Sequence, residues 1–564
     1  MASDSNLSKK FPHIDTNSWV YNEKDDVYWQ VGVQYVEKPT DLTYHTLGLF
    51  VPGAYFDGTK NPDGTYSVSV KKSAAVGQFT AENAPFVMPI ETPGYAAMKS
   101  PTDYASAVKN YTDEGMIFVY AGARGRDHGA PLGVTDFKAA IRFVRANASV
   151  LPGDTARLFT YGMSGGGAQS ALLGATGDAP EYEPYLKAIG AVMTESDAVM
   201  GSMDWCPITN LNVANEAYEW ELGAGRSNLS DENKALSDGL ALKFAEYINA
   251  LGLKDENGNA LSLTQSADGL YHAGSYYDYL KKTIETSLNN FLQTTKFPYN
   301  VEEQKNALGQ EMLGELPMMM ARGKKSEMRG EPPKDGKPNG NPTDFENRDN
   351  VQRNKASGTI TISGIYATVE DYIDALNAAG TWVYYDKATN TAKIKSVEDL
   401  MKALKVPTKN VGAFDDLNGT QGENTLFGCG DGKGAHWDAI MAQVLENINA
   451  EKAAEYKADL AKKDALGTSI STRLDMYNPM FYLSPYYKGF KTSKPAKFWR
   501  IRTGIFQGDT AISTELDYAL ALKSYGSEVK SVDFATIWGL YHVEAEESGT
   551  SQANFIAWVK ECLK

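Results

Sequence analysis

The stretch Arg157-Leu-Phe-Thr-Tyr-Gly162-Met-Ser164-Gly165-Gly166-Gly-Ala168-Gln-Ser-Ala-Leu-Leu-Gly-Ala175 decides the fold. Arg157–Tyr161 reads as a short buried strand, Gly162–Gly167 as a tight turn, and Ala168–Ala175 as a helix of small residues. The five residues Gly162-Met-Ser-Gly-Gly166 fit the G-x-S-x-G pattern, in which a serine sits on a sharp strand-to-helix turn. Small neighbours are needed there because side chains at those positions would collide. The turn lifts the Ser164 hydroxyl out of the sheet at a helix N-terminus and leaves the Gly165 N–H available to an anionic oxygen. The other reading is a glycine-rich turn that only packs or meets a phosphate. The strand before it and the helix after it favour the nucleophile.

Working outward, Tyr44–Val51 and Met116–Ala121 have strand character, and Thr135–Asn147 has Phe137, Ala140, Ile141 and Val144 at helical spacing. Ile189–Met193 reads as the next strand. From Trp205 to Lys497 the pattern changes to helices and irregular segments. One helix there carries Leu236, Leu240, Phe244, Tyr247 and Leu251 on a face, capped by Ser230 or Asp231. Alternation returns with strand Phe498–Ile505, helix Ile512–Tyr525, strand Val532–Ile537 and helix Thr550–Lys564. The expected architecture is an α/β-hydrolase fold with a parallel sheet: core residues 1–204, a mainly helical lid 205–497, and core residues 498–564.

Composition narrows the function. The chain has 564 residues and a formal net charge of -16, which disfavours a nucleic-acid partner. No apolar run reaches membrane-spanning length. Three cysteines, Cys206, Cys429 and Cys562, do not make a disulfide framework. Asp127-His128 has no second ligand at metal spacing, so neither metal nor cofactor is expected. Arg124, Arg126 and Asp127 read as structural hydrogen-bonding residues. The basic run Arg322–Lys355 reads as a solvated loop, and Trp205 and Trp437 as lid packing rather than ring-stacking platforms.

A serine nucleophile needs a base. Of six histidines, His13, His45 and His128 precede the serine, and His272 and His436 fall in the insertion. His542 follows strand Val532–Ile537 by a short loop, where the base belongs in this fold. The acid belongs after the preceding strand, and Asp509 is the carboxylate in that loop. Asp509 or Thr510 also suits a helix N-cap. Glu195 and Asp197 are the alternative acids.

Several stretches together resemble the bacterial tannase family of α/β-hydrolases. They are Gly94-Tyr95, Ala121-Gly-Ala-Arg-Gly-Arg-Asp127, Asp136-Phe-Lys-Ala-Ala-Ile-Arg142, Tyr161–Ser170, Gly412-Ala-Phe-Asp415, Glu423-Asn-Thr-Leu-Phe-Gly428, Phe498-Trp-Arg-Ile-Arg502 and Val532-Asp-Phe-Ala with Trp538-Gly and His542. The resemblance implies cleavage of galloyl esters through an acyl-enzyme on Ser164, with His542 as base and then acid. It implies an oxyanion hole from Gly165 and the backbone of Gly94 and Tyr95. It implies that Lys409, Glu423 and Asp509 grip the hydroxyls of a phenolic ring, one donor and two acceptors for three vicinal groups. One position departs: where the family carries its triad aspartate, this chain has Gln507, two residues before Asp509. A glutamine brings no charge to an imidazolium. Cysteines that fungal relatives place beside the serine and the acid correspond to Met163 and Gly508, so that bridge is absent. The expected substrate is a small phenolic ester. The alternatives are a feruloyl-type or general carboxylesterase, and a catalytically weak or inactive polyphenol-binding protein. Large-lid relatives are often exported, so an extracytoplasmic location with a removed signal is expected, with a cytoplasmic one left open.

Overall fold

The computed structural model describes residues 11–303, 358–405 and 407–564. The basic run at 322–355 lies outside them. A nine-stranded sheet organises the chain. Its strands are β1 (Val20–Asn22), β2 (Val27–Gln34), β3 (Thr46–Pro52), β4 (Phe86–Ile90), β5 (Ile117–Ala121), β6 (Leu158–Met163), β7 (Gly201–Trp205), β8 (Phe498–Gly504) and β9 (Ser531–Ile537). The spatial order is β1-β2-β3-β5-β4-β6-β7-β8-β9. Pairing is antiparallel from β1 through β3 to β5. From β5 to β9 every pair is parallel. This is the α/β-hydrolase fold expected from the sequence.

Parallel strands are covered on both faces and so read as continuous apolar runs. Thus Ile-Phe-Val-Tyr-Ala of β5 and Phe-Val-Met-Pro-Ile of β4 are buried at every position. Helix α1 (Leu132–Ala146) packs with Phe137, Ile141 and Val144 inward. Helix α2 (Gly165–Ala175) is buried along its whole length, and its first turn, Gly165-Gly166-Gly167, lies close against the sheet.

One expected strand is absent. Ile189–Met193 forms no part of the sheet: Gly190 turns left-handed at φ 67°. The Ile189 and Gly190 carbonyls accept from Lys38 and Glu37 N–H in the loop beyond β2. The neighbour of β6 is instead Gly201–Trp205, in register as Gly162 opposite Asp204.

The chain leaves the sheet after β7 and re-enters at β8, its immediate neighbour. Among the helices between them are α3 (Ala214–Leu222), α4 (Asp231–Leu251), α5 (Ser275–Thr294), α6 (Val397–Leu404) and α7 (Gly422–Phe427), with two short antiparallel strand pairs. The Ser230 side chain caps α4 by accepting from Asn233 N–H. After β8 come α8 (Ile512–Ser524) and, closing the chain, α9 (Ser551–Cys562). The carboxyl ends of β6, β7, β8 and β9 stand side by side, the edge of such a sheet where ligands bind.

Candidate active site

Ser164 stands between β6 and α2 with φ 60° and ψ −123°. That conformation is costly for a residue with a side chain, on the order of 1–3 kcal/mol, and persists only when the surroundings impose it. They do: Ser164 N–H donates to Trp205 O at 2.9 Å, at the end of β7. A Cβ on Gly166 would lie 2.0 Å from the Ile90 carbonyl oxygen, so only glycine fits where the turn folds back on β4.

His542 reaches the serine from the loop after β9. Its Nε2 lies 2.8 Å from Ser164 Oγ, and its Nδ1 lies 2.6 Å from Gln507 Oε1. Gln507 follows β8. Its loop is tied to the His542 loop through Phe506 N–H, which donates to Leu540 O at 2.9 Å. Gly504 makes this approach possible, since a Cβ there would sit 2.2 Å from Tyr541 O. The three strand ends therefore fix one line of groups from Ser164 through His542 to Gln507.

The expected place of Asp509 beside the histidine is taken by Gln507. Asp509 lies two residues on, half-buried, and its field acts on Tyr218 and Lys405. The chain did not shift the carboxylate into the gap because the β8–β9 tie at Phe506 fixes which side chain faces Nδ1. Asp197 is elsewhere: it precedes β7, at the opposite edge, where Lys138 and Arg142 donate to it at 2.7 Å each. Glu195 lies in the same segment before β7.

Behind Gln507 the polar chain continues. With Oε1 toward the ring, Nε2 faces inward, 2.5 Å from Thr503 Oγ1 and 3.4 Å from Glu515 Oε1. Glu515, on α8, is fully buried. It also accepts from Thr510 at 2.9 Å, and the Thr514 hydroxyl, which donates to Ala511 O, lies 3.1 Å from its other oxygen. Burial, the largest influence, pushes its carboxyl up to about 7, against the hydroxyl donors.

The loop expected to supply the oxyanion donors lies against the elbow, where a Cβ on Gly165 would sit 2.5 Å from Tyr95 N. Gly94 and Tyr95 are both left-handed, at φ 54° and 60°. Arg126 holds the loop by donating to Gly94 O at 3.0 Å. Gly165 is the first residue of α2, whose N–H has no acceptor within the helix. The Tyr95 N–H differs: it donates to Thr92 O at 2.8 Å. The Tyr95 hydroxyl donates to Ile208 O at 2.5 Å, so this residue braces the loop.

The three ring-binding candidates rest on two supports, Glu423 on one and Lys409 with Asp509 on the other. Glu423 is buried on α7, and α7 packs on the Pro93–Tyr95 turn. Its charge acts on Tyr95. Lys409 and the Asp509 loop are strapped together by Tyr218 of α3. The Tyr218 hydroxyl donates to Gly508 O at 2.7 Å and accepts Thr408 N–H at 3.1 Å. Lys409 Nζ lies 3.8 Å from the Phe414 ring centroid, a cation–π contact.

Comparison with known proteins finds the same fold elsewhere. The structure superposes on a tannase from Lactobacillus plantarum with TM-score 0.65 and 24% identity, covering 95% of each chain. The chain has the tannase fold. A tannase from Fusobacterium nucleatum gives TM-score 0.68 at 22% identity, covering 98% of this chain and 100% of that one. A tannin acyl hydrolase solved in complex with ethyl gallate gives TM-score 0.64 at 24% identity, covering 95% and 94%. The BD-FAE family model matches residues 78–249, a span that includes Gly94–Tyr95 and Gly162–Gly166. No curated protein matches the sequence.

Within this tannase fold, the remaining candidates fall into structural places. Arg124 pairs with the fully buried Asp136, which His45 also meets at 3.1 Å. Trp205 and Trp437 are buried, as packing requires. Cys206, Cys429 and Cys562 are free, and burial pushes the Cys206 thiol up to about 12. Among the described residues, Asp268, His272 and Glu398 come within metal-ligand reach of one another. Each nitrogen of the His272 ring already has an acceptor: Nδ1 has Asp268 at 2.8 Å and Nε2 has Trp220 O at 2.9 Å. The sequence reading missed Glu515, Thr503 and Tyr218. Glu515 gave no local signal, since it is one of two carboxylates, with Asp517, in a helix whose burial only the structure shows.

Proposed function

We propose that the protein is a serine ester hydrolase acting on galloyl or related phenolic esters. The observation that carries this reading is the 2.8 Å contact between Ser164 Oγ and His542 Nε2 at a left-handed elbow. A serine so held passes its proton to the imidazole as it attacks an ester carbonyl. The carbonyl oxygen becomes an anion beside the Gly165 N–H and the Gly94–Tyr95 loop. The imidazolium then protonates the departing alcohol, leaving the acyl group on Ser164. Water, deprotonated by His542, attacks this acyl-enzyme and releases the acid.

The aromatic acid side of the ester is assigned to the space between the elbow and segment 205–497, which we read as a lid. Lys409 as donor and Glu423 and Asp509 as acceptors suit a ring with adjacent hydroxyls. The relatives named as tannin acyl hydrolases, one of them complexed with ethyl gallate, support this substrate class.

Hydrolysis of methyl gallate, methyl ferulate and p-nitrophenyl acetate tests the reading, with Ser164→Ala alongside. Gallate release is expected, reduced by at least about 10³-fold in the variant. Cleavage of the acetate alone would replace the phenolic assignment with a general carboxylesterase. Absence of any Ser164-dependent turnover, and of labelling by a fluorophosphonate, would leave a polyphenol-binding protein.

A further inference from the structure

A histidine that gains a proton beside Ser164 is stabilised by negative charge, and its Nδ1 here meets a neutral amide. Three observations locate the charge. The Gln507 amide is oriented by its neighbours: Nδ1 of His542 must donate while Nε2 accepts from Ser164, so the amide presents Oε1 to the ring at 2.6 Å. The amide nitrogen is thereby aimed inward, at Thr503 Oγ1 (2.5 Å) and Glu515 Oε1 (3.4 Å). Thr503 in turn donates to the same Glu515 oxygen at 3.4 Å. Donors from three side chains, Thr503, Gln507 and Thr510, converge on one oxygen of this buried carboxyl. A site that merely filled space would not collect them.

We propose that Glu515 is a positioning and charge-supplying residue for His542, acting through the Gln507 amide. As the imidazolium forms, its Nδ1–H bond to Gln507 Oε1 strengthens. That polarises the amide and strengthens the bonds from Nε2–H to Thr503 and Glu515. No proton moves beyond the ring, and the carboxylate replaces at one remove the charge that a directly bonded aspartate would supply. This rests on the ester-hydrolase reading of Ser164 and His542.

The surroundings set when Glu515 carries its charge. Glu221 on α3 and Asp517 on α8 oppose ionisation across the buried space. Lys405, fully buried just beyond α6, lies 3.5 Å from Glu221, and Glu515 is among the charges acting on it. Cys206 beyond β7 is neutral, and Asp509 reaches Lys405. With its carboxyl raised to about 7, Glu515 is protonated in mild acid and charged in mild base. The carboxylate is therefore gained across neutrality, and the rate rises with it.

The test compares wild type, Glu515→Gln and the exchanged pair Gln507→Glu/Glu515→Gln, using p-nitrophenyl acetate and fluorophosphonate labelling. Glu515→Gln is expected to lower kcat about 10–100-fold with KM changed less than about twofold, and to remove an ionisation near pH 7 from the kcat profile. The exchanged pair keeps one amide and one carboxyl but puts the carboxyl on the ring. It is expected to regain at least about tenfold over Glu515→Gln. A folded Glu515→Gln with wild-type kcat and pH profile overturns the proposal. If that variant does not fold, the exchanged pair decides: a rate at or above wild type supports the proposal, and one more than tenfold below overturns it. A wild type without any Ser164-dependent reaction overturns the ester-hydrolase reading and this proposal together, whereas an active wild type with an indifferent Glu515 overturns this proposal alone.

Discussion

Gln507 Oε1 stands 2.6 Å from His542 Nδ1, so an amide orients the ring that faces Ser164. Orientation and charge, usually joined in one carboxylate, are divided here between two residues. Gln507 fixes the tautomer, and the nearest carboxyl on that line, Glu515, lies beyond it.

Removing the amide separates these contributions from simple packing. Gln507→Ala leaves His542 Nδ1 without its oriented acceptor and cuts the line to Glu515. Loss of a correctly oriented triad partner costs on the order of 10⁴ in turnover. Because the partner lost here is neutral, the expected fall in kcat is smaller, about 10²–10³, with KM on methyl gallate little changed. Steady-state kinetics check it, and a kcat within threefold of wild type would remove Gln507 from the machinery.

The parts of this site that were legible in the sequence are those set by local sterics or strand order. Ser164 was visible because its turn demands small neighbours within five residues. His542 was visible because it follows the last strand of the sheet. Ile189–Met193 misled because an apolar run of strand length looks alike in a strand and in a buried loop, whereas the true strand Gly201–Trp205 carries Asp204 in its middle. Glu515 was hidden for a different reason. Its donors, Thr503 and Gln507, come together with it only when α8 folds back under β8, and Lys405 arrives from another segment altogether. Asp509 is the one carboxylate in the loop after β8, so residue type points to it, whereas the backbone tie at Phe506, which no composition signals, puts Gln507 on the ring.

That tie gives a second prediction. Gly504 lets the ends of β8 and β9 approach, and a methyl there would meet Tyr541 O at 2.2 Å. Gly504→Ala forces the two loops apart and moves Gln507 relative to His542. A displacement near 1 Å in such a constellation costs about 10²-fold. Expected is a loss of kcat of that size, with destabilisation of about 1–3 kcal/mol in urea. Retention of full activity would show that the loops move independently.

In the insertion, Asp415 is the fixed point beneath the Glu423 helix. Its Oδ1 accepts from Asn424 at 2.6 Å and from His436 at 2.7 Å, and its Oδ2 accepts the N–H groups of Trp437 and Asp438. Asp415→Asn turns one acceptor oxygen into a donor facing donors. The expected cost is about 2–4 kcal/mol in chemical denaturation. Because Asn424 belongs to α7, Glu423 loses its support, and KM on methyl gallate should rise severalfold while turnover of p-nitrophenyl acetate changes less. Equal losses on both substrates would detach α7 from ring binding.

The buried carboxyls also fix how stability follows pH. Glu515 and Asp204 are fully buried, and burial pushes each up to about 7. An unfolded chain releases these protons near pH 4. Between about pH 4 and 7 the folded state therefore holds protons that the unfolded state has lost, and stability falls as pH rises, by up to about 1.4 kcal/mol per pH unit for each group. Asp136 acts in the other direction. Burial opposes its charge, but Arg124 outweighs burial and holds it at about 2, so its contribution is complete above about pH 4 and is lost as pH falls toward 2. Together these place maximum stability in mild acid, near pH 4–5, with a decline toward pH 7. Thermal unfolding from pH 3 to 8 measures this. Glu515→Gln and Asp204→Asn, which carry no titrating proton, should each flatten the decline above pH 5. A wild-type melting temperature that rises from pH 5 to 7, or variants that leave the slope unchanged, would mean that these carboxyls ionise in the folded protein as they do in water.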